Sequence, residues 1–342
     1  MQNWNSFYEL INAPSKRIVI LTHLHPDADA LGSSLGWKMY LQKKGHQATV
    51  IIPNECPDNL SWMPQFDEVL TYDTNAATKE KGHQLLAEAE VICCLDFNAL
   101  HRIKELGVLV PNAKATKILI DHHIEPEDFA DIVFSDTSKA ATAQYVQEII
   151  EQLGDANLID KDIAECLYAG TMTDTGSFRH SSTTADVHLA VARLMQTGLN
   201  VNYVHQAIFD HNTLSRTRLL GYVLSEKLVV LPEYRTAYMT ISMEELKRFN
   251  STIGDTDGIV NYGLTLKGVV MSALIIERPD EIKLSFRSVA DFSVREVAHQ
   301  HFSGGGHKNA SGGRSNTTLS ETVELFLSIL PQYQSQLLEA TK

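Results

Sequence analysis

Thr22-His23-Leu24-His25-Pro26-Asp27-Ala28-Asp29-Ala30 crowds two imidazoles and two carboxylates into one short stretch. Neutral imidazole nitrogen with carboxylate oxygen suits a divalent ion such as manganese or magnesium, and no thiolate lies nearby to point to structural zinc. Comparable groups recur further on. Asp96 directly follows Val91-Ile92-Cys93-Cys94-Leu95, and Asp121-His122-His123 directly follows Lys117-Ile118-Leu119-Ile120. Asp174 lies within Gly170-Thr171-Met172-Thr173-Asp174-Thr175-Gly176. One such group alone reads equally well as a polar loop that caps a helix. Four of them argue for convergence on one site.

Together Asp27, Asp29, Asp96 and Asp174 carry four negative charges, which two divalent cations balance. Left unpaired and buried, such a cluster is very costly. Paired ions of this kind sit about 3.5–4 Å apart. Asp96, at the end of the most apolar strand, is placed to bridge them, with His23 and Asp27 on one ion and Asp29, His122 and Asp174 on the other. His123 is left to hydrogen-bond a phosphoryl oxygen or a leaving group, and His25 to orient its neighbours rather than touch a metal. Such a pair favours hydrolysis at phosphorus, because it acidifies water, neutralises phosphate and stabilises charge on the leaving oxygen. No protein nucleophile is required.

The elements that must position these groups follow from the pattern. Arg17–Leu21, Ala48–Ile52, Val91–Leu95 and Lys117–Ile120 are short apolar, β-branched runs that read as buried strands, with a further short strand near Val69-Leu70. Helical stretches fall between and around them, near residues 4–12, up to Lys44 with Gly45 as C-terminal cap, up to Glu88, at 139–153 and at 161–169. Alternating strands and helices imply an α/β domain with a mainly parallel sheet flanked by helices, spanning 1–196. Open sheets of this kind place ligands at the carboxyl ends of their strands. A helical linker is expected over 197–218. Residues 219–342, with strands at 228–231, 235–241, 267–276 and 283–288, a glycine-rich loop and a last helix near 321–330, read as a smaller α+β domain, with a cleft between the two.

Composition bounds the partners. The chain has 342 residues, enough for two cores, with ordinary hydrophobic (44%) and charged (21%) fractions. Its 29 basic against 42 acidic side chains leave a formal charge of −13, which disfavours long duplex nucleic acid but not a small anion held by metals and a few local cations. Cys56, Cys93, Cys94 and Cys166 show neither disulfide nor zinc spacing and read as reduced core residues. No apolar run is long enough to cross a bilayer, and the first residues lack signal-peptide character. A cytoplasmic protein with no membrane partner is expected.

His23-Leu24-His25-Pro26-Asp27-Ala28-Asp29, the aspartate after a buried strand, Asp121-His122-His123 and Thr173-Asp174-Thr175-Gly176 resemble the four motifs of DHH phosphoesterases. That family includes RecJ-like exonucleases, family II inorganic pyrophosphatases and exopolyphosphatases. Gly304-Gly305-Gly306-His307, with Arg287 in Ser285-Phe286-Arg287-Ser288, resembles the DHH-associated C-terminal domain. Length and domain order look most like the NrnA-type branch of bifunctional oligoribonucleases and pAp phosphatases. The resemblance implies two divalent ions, Mn2+ first and Mg2+ or Co2+ next, on His23, Asp27, Asp29, Asp96, His122 and Asp174. It implies catalytic roles for Asp96, His123 and His25, and substrate binding by Arg287, Gly305, Gly306, His307 and Asn309. The implied substrates are short single-stranded RNA, cut to mononucleotides, and 3′-phosphoadenosine 5′-phosphate (pAp). Pyrophosphate, polyphosphate or linear and cyclic dinucleotides are the alternative, a non-catalytic nucleotide binder is a third reading, and homodimerisation stays open. The glycine loop departs slightly from the family: Ser303 precedes three glycines where four are usual, and Ala310-Ser311 stands where two alanines are usual.

Overall fold

The computed structural model describes residues 3–210, 212–252 and 254–340. The chain forms two compact units, Met1–His211 and Asn212–Lys342. The division between them falls within 197–218, the stretch expected as a helical linker. Helical periodicity is local and does not say which core a helix will join.

In the first unit the strands β1 (Arg17–Leu21), β2 (Gln47–Ile52), β3 (Leu70–Thr71), β4 (Val91–Leu95), β5 (Thr116–Asp121) and β6 (Ile132–Ser135) form one sheet. Its order is β3-β2-β1-β4-β5-β6 and every pairing is parallel. The central strands are apolar on both faces because helices cover both. Ile18, Ile20, Val50, Cys93 and Ile118 point to one core with α1 (Trp4–Ile11), α2 (Ala28–Lys43), α5 (Thr142–Gln152), α6 (Lys161–Asp174), α7 (Ala185–Met195) and α8 (Val201–Phe209). Val19, Leu21, Ile92, Cys94 and Leu119 point to the other, with α3 (Ala76–Glu88) and α4 (Glu105–Leu109). Cys93, Cys94 and Cys166 are buried free thiols, as their apolar settings suggest, and burial pushes all three up in pKa, Cys93 to about 12.

Two details differ from expectation. β6 is an edge strand with Ile132 and Phe134 buried and Val133 exposed, too short to stand out in sequence. α6 does not stop at Ala169 but continues through Gly170 to Asp174. The hydroxyls of Thr171, Thr173 and Thr175 donate back to the carbonyls of Leu167, Ala169 and Thr171, so these polar groups are satisfied along the last turns.

The second unit holds β7 (Val229–Leu231), β8 (Thr236–Ile241), β9 (Met271–Glu277), β10 (Ile282–Ser288), β11 (Gly305–His307) and β12 (Ala310–Ser315) in the order β11-β12-β10-β9-β8-β7. Among the described residues only β8 and β9 pair in parallel, so the sheet is mixed. One core joins Leu284 and Phe286 to α12 (Val294–His301) and α13 (Leu319–Glu339). The other joins Met239 and Leu274 to α9 (Leu214–Tyr222), α10 (Met243–Arg248) and α11 (Ile259–Leu264). The glycine-rich stretch is not a plain loop. It pairs Gly305–His307 with Ala310–Gly312 as an antiparallel hairpin at the sheet edge. No helix among the described residues is long and apolar enough to cross a membrane.

Candidate metal centre

The strand order of the first unit changes winding direction between β1 and β4, and the carboxyl ends of those two strands open the crevice where α/β sheets bind ligands. β1 runs into His23, β4 into Asp96 and β5 into Asp121-His122-His123. Asp27 is the N-cap of α2, Asp29 lies in its first turn, and Asp174 is the last residue of α6. The four sequence motifs therefore meet because the topology leaves them one common edge.

Asp96 lies at the middle of this set. Its Oδ2 is 3.3 Å from His23 Nε2, and its Oδ1 is 3.5 Å from His122 Nε2. His122 Nε2 is also 3.3 Å from Asp174 Oδ2 and 3.9 Å from Asp29 Oδ2, while His23 Nε2 is 3.9 Å from Asp27 Oδ2. Three groups can each close on an ion: His23–Asp27–Asp96, Asp29–His122–Asp174 and Asp96–His122–His123. Asp96 has left-handed backbone (φ 64°), which aspartate tolerates better than most residues, and its N–H donates to the Ile120 carbonyl at 3.1 Å.

Second contacts fix the direction of each group. His23 Nδ1–H donates to the Leu24 carbonyl at 2.9 Å and His122 Nδ1–H to the Lys139 carbonyl at 3.3 Å, which leaves an Nε2 lone pair on each ring for a cation. Asp27 uses Oδ1 to cap α2, accepting from Asp29 N–H and Ala30 N–H at 3.0 Å each, and turns Oδ2 to His23. Asp29 accepts from the first N–H groups of α5, Thr142 to Oδ2 at 2.7 Å and Ala143 to Oδ1 at 2.8 Å. The Thr142 hydroxyl donates to Asp96 Oδ1 at 2.8 Å. His123 Nδ1–H donates to the fully buried Asp121 at 2.7 Å.

The electrostatics bear on whether cations fit. Burial raises the pKa of Asp29, and the carboxylates of Asp96, Asp174 and Asp27 add to the rise. Asp174 goes up for the same reasons, burial first and then Asp27 and Asp96. Burial pushes Asp96 up too, but His23, His122 and His123 outweigh it and hold its carboxyl well below the usual range. His23 is pulled down by burial and raised, on balance, by Asp96 and Asp27. Crowded carboxylates driven towards their protonated forms, beside aligned imidazole lone pairs, are a donor set that lacks positive charge. Divalent cations fit it.

In the second unit Arg287 is half-buried on β10. Its Nη1 donates to the Phe286 carbonyl at 2.9 Å, and the described residues offer its other four N–H donors no acceptor. Burial lowers its pKa, with Asp257 opposing. Gly305, Gly306 and His307 are exposed on β11. Asn309 is placed differently from a simple ligand-facing amide: its Nδ2 donates to Ser288 Oγ, Ala290 O and Phe292 O, bracing a turn. His301, with no chemical pattern in sequence, pairs with the Tyr333 hydroxyl at 2.9 Å. Sequence reasoning missed Thr142 and Asn54, whose side-chain oxygen accepts from His25 N–H at 2.7 Å. Neither carries a signal beyond that of an ordinary cap or turn residue.

Comparison with known proteins adds three kinds of likeness. The model of the DHH family N-terminal domain matches residues 17–171, and that of the DHHA1 domain matches residues 236–336. The bifunctional oligoribonuclease and PAP phosphatase NrnA of Thermus thermophilus is 31% identical over 304 residues, covering 89% of this chain and 86% of that protein. A probable bifunctional oligoribonuclease and PAP phosphatase NrnA of Streptococcus mutans is 27% identical over 312 residues, covering 90% of this chain and 92% of that one. The crystal structure of an exopolyphosphatase-related protein from Bacteroides fragilis superposes with a TM-score of 0.94 at 39% identity, covering 98% of this chain and 97% of that chain.

Proposed function

Because the chain belongs to the DHH family of phosphoesterases, we propose that it hydrolyses short oligoribonucleotides to mononucleotides and pAp to AMP. The observation that carries this reading is Asp96, which turns one oxygen to His23 and the other to His122, as a carboxylate shared by two ions must. His23 and Asp27 would hold one ion, Asp29, His122 and Asp174 the other, and Asp96 would serve both. Nitrogen and carboxylate oxygen without thiolate favour Mn2+, with Mg2+ or Co2+ as substitutes. When bound, the pair supplies charge neutralisation at phosphorus and an acidified water.

The chain's own residues do the rest. Asp121 accepts from His123 Nδ1–H and orients the ring, so that its Nε2 donates to the phosphoryl or leaving oxygen when the ring carries a second proton. Arg287 and the Gly305-Gly306-His307 strand bind the remote part of the nucleotide, Arg287 with its uncommitted fork of donors. The net charge of −13 disfavours long duplexes, and the reduced, buried cysteines suit the cytoplasm.

A substrate panel with Mn2+ tests the proposal: dinucleotide, pentamer, 24-mer RNA, pAp, pyrophosphate and polyphosphate. The dimer to pentamer and pAp are expected to give the highest kcat/KM. A 24-mer turned over as efficiently as a dimer would replace this reading with a processive exonuclease. Preference for polyphosphate would replace it with an exopolyphosphatase, in line with the likeness to the exopolyphosphatase-related protein from Bacteroides fragilis.

A further inference from the structure

α5 begins without a side-chain cap of its own. Its N-cap is Ala141, and alanine, with only a methyl to offer, is among the poorest residues for that position. The next residue, Thr142, carries the kind of hydroxyl that an N-cap uses, yet sends it elsewhere. Thr142 Oγ1 donates to Asp96 Oδ1 at 2.8 Å, 46 residues away in the chain. The first N–H groups of the helix are met instead by Asp29 of α2, Thr142 N–H on Oδ2 at 2.7 Å and Ala143 N–H on Oδ1 at 2.8 Å. A local rule broken in this way, with the compensation drawn from a cluster of ligand-type groups, is the mark of a functional constraint.

One fully buried residue thus touches two carboxylates with different places in the centre. Asp29 groups with His122 and Asp174, whereas Asp96 faces both His23 and His122. A carboxylate oxygen has two lone pairs. On Asp96 Oδ1 the hydroxyl engages one, which fixes the rotation of the group and leaves the other for a cation. The turn that carries Thr142 is itself braced. Ala140 N–H donates to Gln144 Oε1 and Gln144 Nε2–H to Glu148 Oε1, each at 2.9 Å, while Lys139 pairs with the second Glu148 oxygen. The Lys139 carbonyl accepts from His122 Nδ1–H at 3.3 Å, so residues 139–143 reach a third candidate ligand.

Resting on the two-ion reading, we propose that Thr142 is a positioning residue for the metal pair. Its hydroxyl aims Asp96 and its N–H aims Asp29, so that the start of α5 sets how far the shared carboxylate stands from the one serving a single ion. The residue touches neither metal nor substrate and acts through the two aspartates.

Calorimetric titration of Mn2+ into the metal-stripped full chain tests this without any substrate. Thr142→Val keeps the shape and the backbone N–H but removes the hydroxyl, and Thr142→Ser keeps the hydroxyl. Wild type is expected to take up two ions. Thr142→Val should bind them roughly 10–100-fold more weakly, whereas Thr142→Ser should stay within about threefold of wild type. Thr142→Ala should show the same loss as valine and carries the test if the valine variant does not fold. A valine or alanine variant that binds two ions as tightly as wild type would overturn the proposal. An equal loss in the serine variant would do the same, by assigning Thr142 to packing alone. So would Mn2+-soaked wild-type crystals in which Thr142 Oγ1 has left Asp96, a result that needs no variant to fold. A wild type that takes up a single ion would overturn the two-ion reading itself, so the two failures stay distinct.

Discussion

The candidate metal centre of the first unit and the glycine hairpin of the second are shaped by opposite means. At the sheet edge nearly every side chain has a second partner that aims it. Asp29 is held by the start of α5, Asp27 by the start of α2, His122 by the Lys139 carbonyl and His123 by Asp121. In the hairpin the backbone carries the shape. A methyl on Gly304 would stand 2.0 Å from the Gly312 carbonyl oxygen, while one on Gly305 would meet nothing within 4 Å. Asn309 braces a turn, and Gly305–His307 lies exposed. The contrast separates a cluster whose groups are each aimed by a second partner from an edge hairpin shaped by close backbone approach.

The largest expected break is Asp96→Ala. Both ion positions lose their common carboxylate, and kcat for a dinucleotide should fall by about a thousandfold or more, ~4 kcal/mol of barrier. Circular dichroism should show the fold retained, because the change removes charge from a crowded acidic site. Retention of more than about a tenth of wild-type kcat would refute the bridging role.

Removing Arg287 or His307 tests the other region. If they hold the remote nucleotide, either alanine variant should lose roughly 10–100-fold in kcat/KM on a dinucleotide, about 1.4–2.8 kcal/mol. Bis-p-nitrophenyl phosphate has no remote nucleotide and should be affected far less. His123→Ala should damage both reactions. Equal losses on both substrates in the Arg287 and His307 variants would assign these residues to supporting the fold or the metal centre.

Within the hairpin, Gly304→Ala should lower thermal stability, since the Gly312 backbone has no room to yield. Gly305→Ala should leave stability unchanged and raise KM for dinucleotides several-fold, about 1 kcal/mol. A Gly305→Ala protein with unaltered KM would place the ligand elsewhere.

The smallest effect is a pH dependence of the metal-free protein. Asp29 and Asp174 have raised pKa values in the fold, so above the ordinary carboxylate pKa the folded state holds more protons than the unfolded chain. Stability then falls as pH rises through their folded values. The raised His23 has the same sign, its contribution being lost as pH climbs through its folded pKa. The lowered Asp96 acts in the other direction and only in strong acid. Scanning calorimetry of chelated protein should show Tm decreasing by several degrees from pH 5 to pH 8, on the order of 1–2 kcal/mol. Mn2+ should raise Tm more at pH 8 than at pH 5 and release protons on binding. A chelated protein whose Tm rises over that range would contradict the carboxylate assignment.

How much of this is legible in the sequence depends on the cost of each residue where it lies. A charged Asp96 after five buried apolar residues is expensive without a partner, and that expense is what makes it readable. The parallel sheet is equally plain, because strands apolar on both faces alternate with helices. Thr142 and Asn54 carry no such mark. Threonine at a helix start and asparagine after a proline are ordinary, and nothing local tells that residues 142 and 29 meet across the fold. The division of 197–218 between the units escapes for a similar reason, as amphipathic helices declare an apolar face but not its owner. Arg287 and the hairpin are legible as a motif, whereas the hydrogen bonds that occupy Asn309 emerge only from the folded turn.

One carboxylate shared by two ions is the centre of the proposed chemistry. Crystals of the protein soaked in Mn2+, with anomalous data collected at the manganese edge, measure this directly. Two anomalous peaks about 3.5–4 Å apart are expected. Asp96 Oδ2 should contact the peak beside His23, and Oδ1 the peak beside His122. A single peak, or a pair of which Asp96 touches only one, would contradict the shared role of Asp96 and with it the two-ion mechanism.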